Sequence, residues 1–380
     1  MQNGLFCVFM KKKKKLRSGY TTGACAAAAA KASVTMLLTG TSQDSIEIPF
    51  PTGPRVSFTI IKQSVGGKNH NKIKSSVIKD AGDDPDVTNG AVIEAIATFA
   101  EELAPGAEAI RIYGGTGVGK VTKKGLAIPV GEPAINPVPR QMIRDAVAEV
   151  FQESVQEQKH ILEITICIPK GEELATKTLN HRLGIVGGLS VLGTTGIVRP
   201  VSAAAWTATI SASMDVAKEA GLQDVILSTG RTSERAVQKH LNLADESQVM
   251  MGDYLHYSLV DAARHSFTKI HLAAMWAKVM KAGMRIPQTH VRNGALEISD
   301  ALEFLTGLGC EKELIAKLVG SNTAREIYMR LLENNRKDMI MLVCEAARDY
   351  AEEVSGLAVT VYLVDASMAI VATTDRTELN

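Results

Sequence analysis

Residues 183–200 read LGIVGGLSVLGTTGIVRP and set five glycines, Gly184, Gly187, Gly188, Gly193 and Gly196, among Ile185, Val186, Leu189, Val191 and Leu192. No charge falls between Arg182 and Arg199. A solvated linker would be polar, so the apolar residues anchor this loop in a core. Glycine lacks a Cβ, which admits φ > 0 and lets backbone N–H groups approach a ligand, and Thr194 and Thr195 add hydroxyls beside them. Two readings follow: tight turns joining buried strands, or a loop that holds a ligand. The chain has three such loops, which favours the second.

Outside this stretch, the 380 residues exceed one comfortable core, so two domains are expected. A hydrophobic fraction of 46% and a charged fraction of 22% belong to an ordinary globular protein and exclude disordered and fibrous classes. The net charge of +1 supplies no global field toward nucleic acid or an anionic membrane, so an anionic ligand must be met by local groups. Cys7, Cys25, Cys167, Cys310 and Cys344 are odd in number and scattered, and the histidines show no paired spacing. Neither a disulfide framework nor a structural metal is expected.

The N-terminus places apolar residues before Lys11–Lys15, the wrong order for a secretory signal, and no uninterrupted apolar run approaches the roughly 20 residues of a bilayer span. A cytoplasmic protein with no membrane and no nucleic-acid partner is expected. Residues 1–16 read as a disordered basic leader, because no aromatic residue interleaves with the lysines; an RNA- or lipid-binding arm is the alternative.

Further along, RSGYTTGACAAAAAKASVTMLLTG predicts a buried helix over Gly23–Leu38, with Thr21 and Thr22 as caps and Gly40 as its stop. Its first turn offers amides and hydroxyls to an anion. Ile46–Phe50, Val56–Ile61 and Ile73–Ile78 read as antiparallel strands. DAGDDPDVTNG then places Asp80, Asp83, Asp84 and Asp86 within seven residues, ahead of a helix expected from Thr88 and Asn89 to Leu103 on the spacing of Val92, Ile93, Ile96, Phe99, Ala100 and Leu103. These carboxylates suit a magnesium site, hydrogen bonds to ribose, or a general base. After a strand at Ala109–Tyr113, Gly114, Gly119 and Lys120 match the start of a phosphate loop, but Val121 stands where that motif needs a hydroxyl, and no helix is expected to follow. An amphipathic helix opens at Pro139, and a half-buried strand at Ile161–Ile168 carries Cys167 as a small filler.

Beyond Pro200 helices and strands alternate, which implies a parallel sheet with crossover helices. Ser228, Thr229 and Gly230 fall between the strand Asp224–Leu227 and the helix Arg231–Leu241, the usual ligand position in such sheets, and Asp253 follows the next strand where an acid could hold a ribose. The tail adds four helices and a strand at Leu357–Leu363, with His290 in a loop as a satisfied or surface residue. The expected fold is an α+β domain over 17–198, with antiparallel strands and buried helices, then an α/β Rossmann-like domain over 199–380.

Taken together, GYTTGACAAAAAKA at 19–32, DAGDDPDVTNG at 80–90, GGTGVGKVTKKGL with VGEPAINPVPR in 114–140 and LGIVGGLSVLGTTGIVRP resemble the cobalt-precorrin-5B C(1)-methyltransferases, the CbiD family of anaerobic cobalamin biosynthesis. The resemblance spans nearly the whole chain, is strongest before Pro200, and departs at Met275–Gly283, where MWAKVMKAG replaces a more glycine-rich segment. It implies methyl transfer from S-adenosylmethionine to carbon 1 of a cobalt corrinoid, cobalt-precorrin-5B, giving cobalt-precorrin-6A, with cobalt entering only inside the substrate. Such a reaction is served by aligning two reactants and excluding water, which contributes roughly 7 to 11 kcal/mol without a nucleophilic residue. On this reading Gly187, Gly188, Gly193, Thr194, Thr195, Gly196, Thr229, Gly230 and Asp253 hold the donor. Thr21, Thr22, Lys120, Arg199 and Arg231, with Lys123 and Arg182 as further cations, meet the substrate carboxylates. Asp83, Asp84 and Asp86 attract the sulfonium, hold ribose or take a proton. A homo-oligomer and transient contact with neighbouring pathway enzymes are both compatible with it. Two other classes compete: a phosphate-loop nucleotide-binding enzyme using Gly114–Lys120, and an RNA-binding protein using Lys11–Lys15.

Overall fold

Thr22–Thr39 is helical because Thr21 caps it, its side-chain oxygen accepting from the Ala24 amide at 3.2 Å, and Gly40 ends it in the left-handed region at φ +69°. Thr22 through Val34 are buried on every side. Only small side chains allow this, since helix Pro137–Phe151 and the strands Lys72–Ile78 and Val92–Glu102 all pack against it. By length and composition the helix could cross a bilayer, but it lies within this core.

The computed structural model describes residues 16–67, 71–102, 108–152, 160–200, 202–289 and 296–375. Residues 1–15 of the expected leader, with its lysines and Cys7, and also His290 lie outside them. The chain is a mixed α/β protein of two compact units, the first holding the residues up to Val121 with Gly131–His181 and Ile185–Ser202. The second holds Thr122–Val130, Arg182–Gly184 and the chain from Ala203 onward.

In the first unit the strands Lys62–Gly66, Lys72–Ile78, Val92–Glu102, His160–Cys167 and Ile110–Gly114 form one sheet in that order, antiparallel except for the last pair. Ser45–Phe50 and Gly53–Thr59 make a separate hairpin. Val92–Glu102 corrects the expected helix. Ile93, Ala95 and Ala97 are buried while Val92, Glu94, Ile96 and Thr98 are half-buried, so the segment also has a period of two. Its apolar spacing satisfied both periodicities, and pairing on both edges decided for the strand.

The second unit has a sheet in the order Gln248–Met250, Asp224–Ser228, Lys269–Ala274, Ala358–Val364 and Ile370–Thr373. The first four strands are parallel and the last is antiparallel. Helix Arg231–Leu241 covers one face through Ala236 and Val237. Helices Ala203–Glu219, Leu255–Arg264, Trp276–Gly283 and Lys337–Ser355 cover the other. Helix Trp276–Gly283 and the strand Ile370–Thr373 were not legible from periodicity. Asp224–Ser228 has the next strand in sequence on one side and the one after on the other, so the winding reverses there and a crevice opens at the carboxyl ends.

Gly117 has φ +71°, and a Cβ there would lie 1.9 Å from the Ile168 carbonyl oxygen. Gly117→Ala is expected to lower stability by about 2 kcal/mol or more, whereas Gly53→Ala, with nothing within 4 Å, should stay within about 0.5 kcal/mol. Urea unfolding of the two variants checks this.

Candidate functional site

The motifs of the first unit converge, and they converge on each other's backbone. The Thr21 amide donates to the Gly196 carbonyl at 2.9 Å, and the Gly23 amide to Leu192 at 3.1 Å. Gly193 sits at φ +129° with the Thr21 side chain 2.4 Å from where its Cβ would be. Thr21 and Thr22 are therefore buried, and the Thr21 hydroxyl oxygen accepts from the Ala24 amide as a cap. Gly188 is buried, whereas Gly187, Thr194, Thr195, Lys120 and Arg199 are exposed.

The phosphate-loop reading of Gly114–Lys120 fails on geometry. The Gly115 amide donates to Ile166, Val118 to Gly115 and Gly119 to Leu189, and Lys120 enters a short strand paired with Ile185–Val186. No helix N-terminus follows, so neither a ring of free amides nor a dipole faces a phosphate.

The acidic loop is likewise built into the unit. Asp80 pairs with the Arg17 guanidinium at 2.6 and 2.7 Å, and the Asp83 carboxylate accepts from the Arg17 amide at 2.7 Å. Asp86 pairs with Lys79, which is only 2% exposed, and accepts from the Thr88 amide and hydroxyl. Burial raises the Asp86 carboxyl, but Lys79 and Thr88 more than offset this and hold it below its ordinary value, which makes it a weak proton acceptor. Asp84 is half-buried in the same loop.

The second unit holds the large cavity. A cleft of about 1830 Å³ opens at the carboxyl ends of the parallel strands, where Thr229, Gly230 and Arg231 meet Trp276, Tyr328 and Asp365. Gly230 is extended, and a Cβ there would meet nothing within 4 Å, so the strand-to-helix turn presents bare backbone. Two buried polar atoms at this edge have no partner among the described residues, Ser228 Oγ and Trp276 Nε1. Buried polar groups are ordinarily satisfied, so these two await one. Asp253 is outside the lining. It is held by Lys278 and by the Thr289 hydroxyl at 3.1 Å. Arg182 is committed to buried Glu234 and Lys123 to Glu246 at 2.7 Å. Among the described residues no group of three or more His, Cys, Asp or Glu side chains could hold a metal ion.

The structure thus gathers Thr229, Gly230 and Arg231 into one cleft, and places Thr21, Gly193 and Gly196 in a packed core junction of the other unit. Trp276 and Tyr328, whose rings lie 5.2 Å apart, escaped the sequence reading. The one signal available was the departure of Met275–Gly283 from the expected pattern, a stretch whose first four residues all line the cleft.

A mixed α/β chain with a large cleft at the strand ends of a mostly parallel sheet has the form of a small-molecule enzyme. Comparison with known proteins narrows this. The family model CbiD matches residues 9–200, and the model CbiD, C-terminal domain matches residues 288–375. A cobalt-precorrin-5B C(1)-methyltransferase of Desulfotalea psychrophila is 54% identical, over 93% of this chain and 96% of that protein. One of Geotalea daltonii is 48% identical, over 88% and 92%. The crystal structure of the cobalamin biosynthesis protein CbiD from Archaeoglobus fulgidus is similar at a TM-score of 0.38 and 22% identity, over 84% of this chain and 85% of that one. The chain belongs to the CbiD family.

The Asp86–Lys79 pair gives a pH-dependent prediction. A depressed carboxylate contributes stability above its unfolded pKa of about 3.9 and loses it as the pH falls through the folded value. Asp86→Asn strands a buried ammonium and should cost about 3 kcal/mol at neutral pH. It should also remove part of the fall in urea midpoint that the unaltered protein shows below about pH 4, measured by unfolding across pH.

Proposed function

We propose that the protein is an S-adenosylmethionine-dependent C-methyltransferase that methylates carbon 1 of cobalt-precorrin-5B, giving cobalt-precorrin-6A, in cobalamin biosynthesis. The observation that carries this reading is identity of 54% across 93% of the chain to a protein of that name. The expected cytoplasmic location belongs to the same reading. Cobalt belongs to the substrate.

The residues present suit a methyl donor at the strand ends. We read the second unit as Rossmann-like, because its strand order and its crevice follow the doubly wound pattern. Gly230 leaves room for a ligand against the backbone, and the unpartnered Ser228 hydroxyl and Trp276 N–H are buried polar groups of the kind a polar ligand satisfies. When bound, S-adenosylmethionine supplies an electrophilic methyl group on a sulfonium. Thr229 and Gly230 bind and orient at the turn. The apolar wall of Trp276, Tyr328 and Ile340 keeps water from the reacting atoms. In this reading catalysis is alignment, and no side chain needs to form a covalent bond. Arg231, in the lining of the cleft, is a cation that suits a substrate carboxylate. Asp83 and Asp86 act through the loop they hold.

The test is transfer of a labelled methyl from S-adenosylmethionine to cobalt-precorrin-5B by the purified protein. A Cβ at Gly230 would meet no neighbour within 4 Å, so Gly230→Val should fold, yet lower kcat/KM by about 100-fold through misplacement of the donor. A fully active variant would remove the donor from that turn.

A further inference from the structure

Four helices line the cleft, and each carries a cation in its first turn. Arg231 is the first residue of helix Arg231–Leu241, Lys278 the third of Trp276–Gly283, Arg325 the second of Ala324–Glu333 and Lys337 the first of Lys337–Ser355. This runs against the helix dipole, whose positive end prefers acids. The acids of those first turns are engaged elsewhere: Glu234 with Arg182, Glu326 with Arg330 at 2.6 Å, Asp338 with Arg336 at 2.7 Å. None of the three lines the cleft. Lys239 and His240 add to the basic lining, and Asp365 is its one carboxylate, with Oδ1 accepting from Ser367 and Ala369 within its own loop. Among the described residues Arg231, Lys239, Arg325 and Lys337 have no carboxylate partner. In a chain of net charge +1 this is a local concentration of positive potential, reinforced by the starts of helices Arg231–Leu241 and Trp276–Gly283.

A second observation points the same way. Trp276 is 6% exposed, lines the cleft, and its Nε1–H has no acceptor among the described residues. With Tyr328 it also offers an aromatic wall. The cleft, at about 1830 Å³, exceeds the roughly 300 to 1,000 Å³ of a usual small-molecule pocket.

Resting on the methyltransferase reading, we infer that the outer wall of this cleft is the seat of a polycarboxylate tetrapyrrole. Arg231, Lys239, Arg325 and Lys337 pair its peripheral carboxylates, and half-buried Tyr328, backed by Trp276, packs on the macrocycle. A sulfonium carries positive charge and is not what draws these cations together. A planar macrocycle edged with carboxylates satisfies the cations, the helix ends and the aromatic wall at once. Donor and acceptor then share one cleft, the donor at the Thr229–Gly230 turn and the acceptor above it.

Calorimetric titration with uroporphyrin, a polycarboxylate tetrapyrrole, with its fully esterified form, and separately with S-adenosylmethionine tests this. Arg325→Glu with Lys337→Glu should weaken uroporphyrin binding about 100-fold and leave S-adenosylmethionine binding unweakened. The melting temperature should hold or rise, because acids replace cations at helix starts. Tyr328→Ala should weaken uroporphyrin several-fold, and the ester should bind poorly. Uroporphyrin affinity indifferent to the double reversal would overturn the inference, as would equal loss of both ligands. Methyl transfer with charge-indifferent uroporphyrin binding would sink the cleft assignment alone. Charge-dependent binding in a protein that transfers no methyl to cobalt-precorrin-5B would support the polyanion seat and sink the reaction.

Discussion

Close approach of backbone to backbone is the constraint on which the first unit rests. Helix Thr22–Thr39 is buried all round, so nothing larger than alanine fits over most of its first half, and the loops that meet its N-terminus must come in without side chains. Gly193 lies against Thr21, Gly117 against Ile168, and the amides between them bond loop to loop. Packing at this density transmits any added atom to several neighbours. The glycines that look like ligand cradles in sequence are, at these positions, the condition for the loops to interlock.

The acidic loop belongs to the same construction. Asp80 and Asp83 hold the segment at Arg17, and Asp86 neutralises an ammonium that is 2% exposed. Charge buried in this way is maintained only by its partner, which makes Asp86 a structural acid. The second salt-bridge cluster shows the same economy: buried Lys31 and exposed Arg55 share Glu149, whose carboxyl is lowered to about 2 chiefly by Arg55, with Lys31 assisting against burial.

In the second unit, helices that line the cleft depart from the local rules of helix design. There, cations at helix starts forgo a stabilisation of about 0.3 to 1 kcal/mol each, and two buried polar atoms have no partner among the described residues. Departures of this kind are enriched at functional sites. The cleft therefore carries its own electrostatic signature in a nearly neutral chain.

Much of this protein was determined by sequence alone: the capped alanine helix, the helix opening near Pro139, the alternation beyond Pro200 and the Ser228–Gly230 turn all follow from propensity, periodicity and turn chemistry, which act over a few residues. The family was legible from its ordered motifs for the same reason. Tertiary structure decided the rest. Val92–Glu102 reads as helix or strand by its apolar spacing, and pairing with strands before and after it settled the matter. Thr21 and Gly193 stand over 170 residues apart in a chain of 380, so their mutual burial is invisible until the loops close. Trp276, Tyr328, Arg325 and Lys337 converge from three helices, and only the fold brings their charge and aromatic surface to one place.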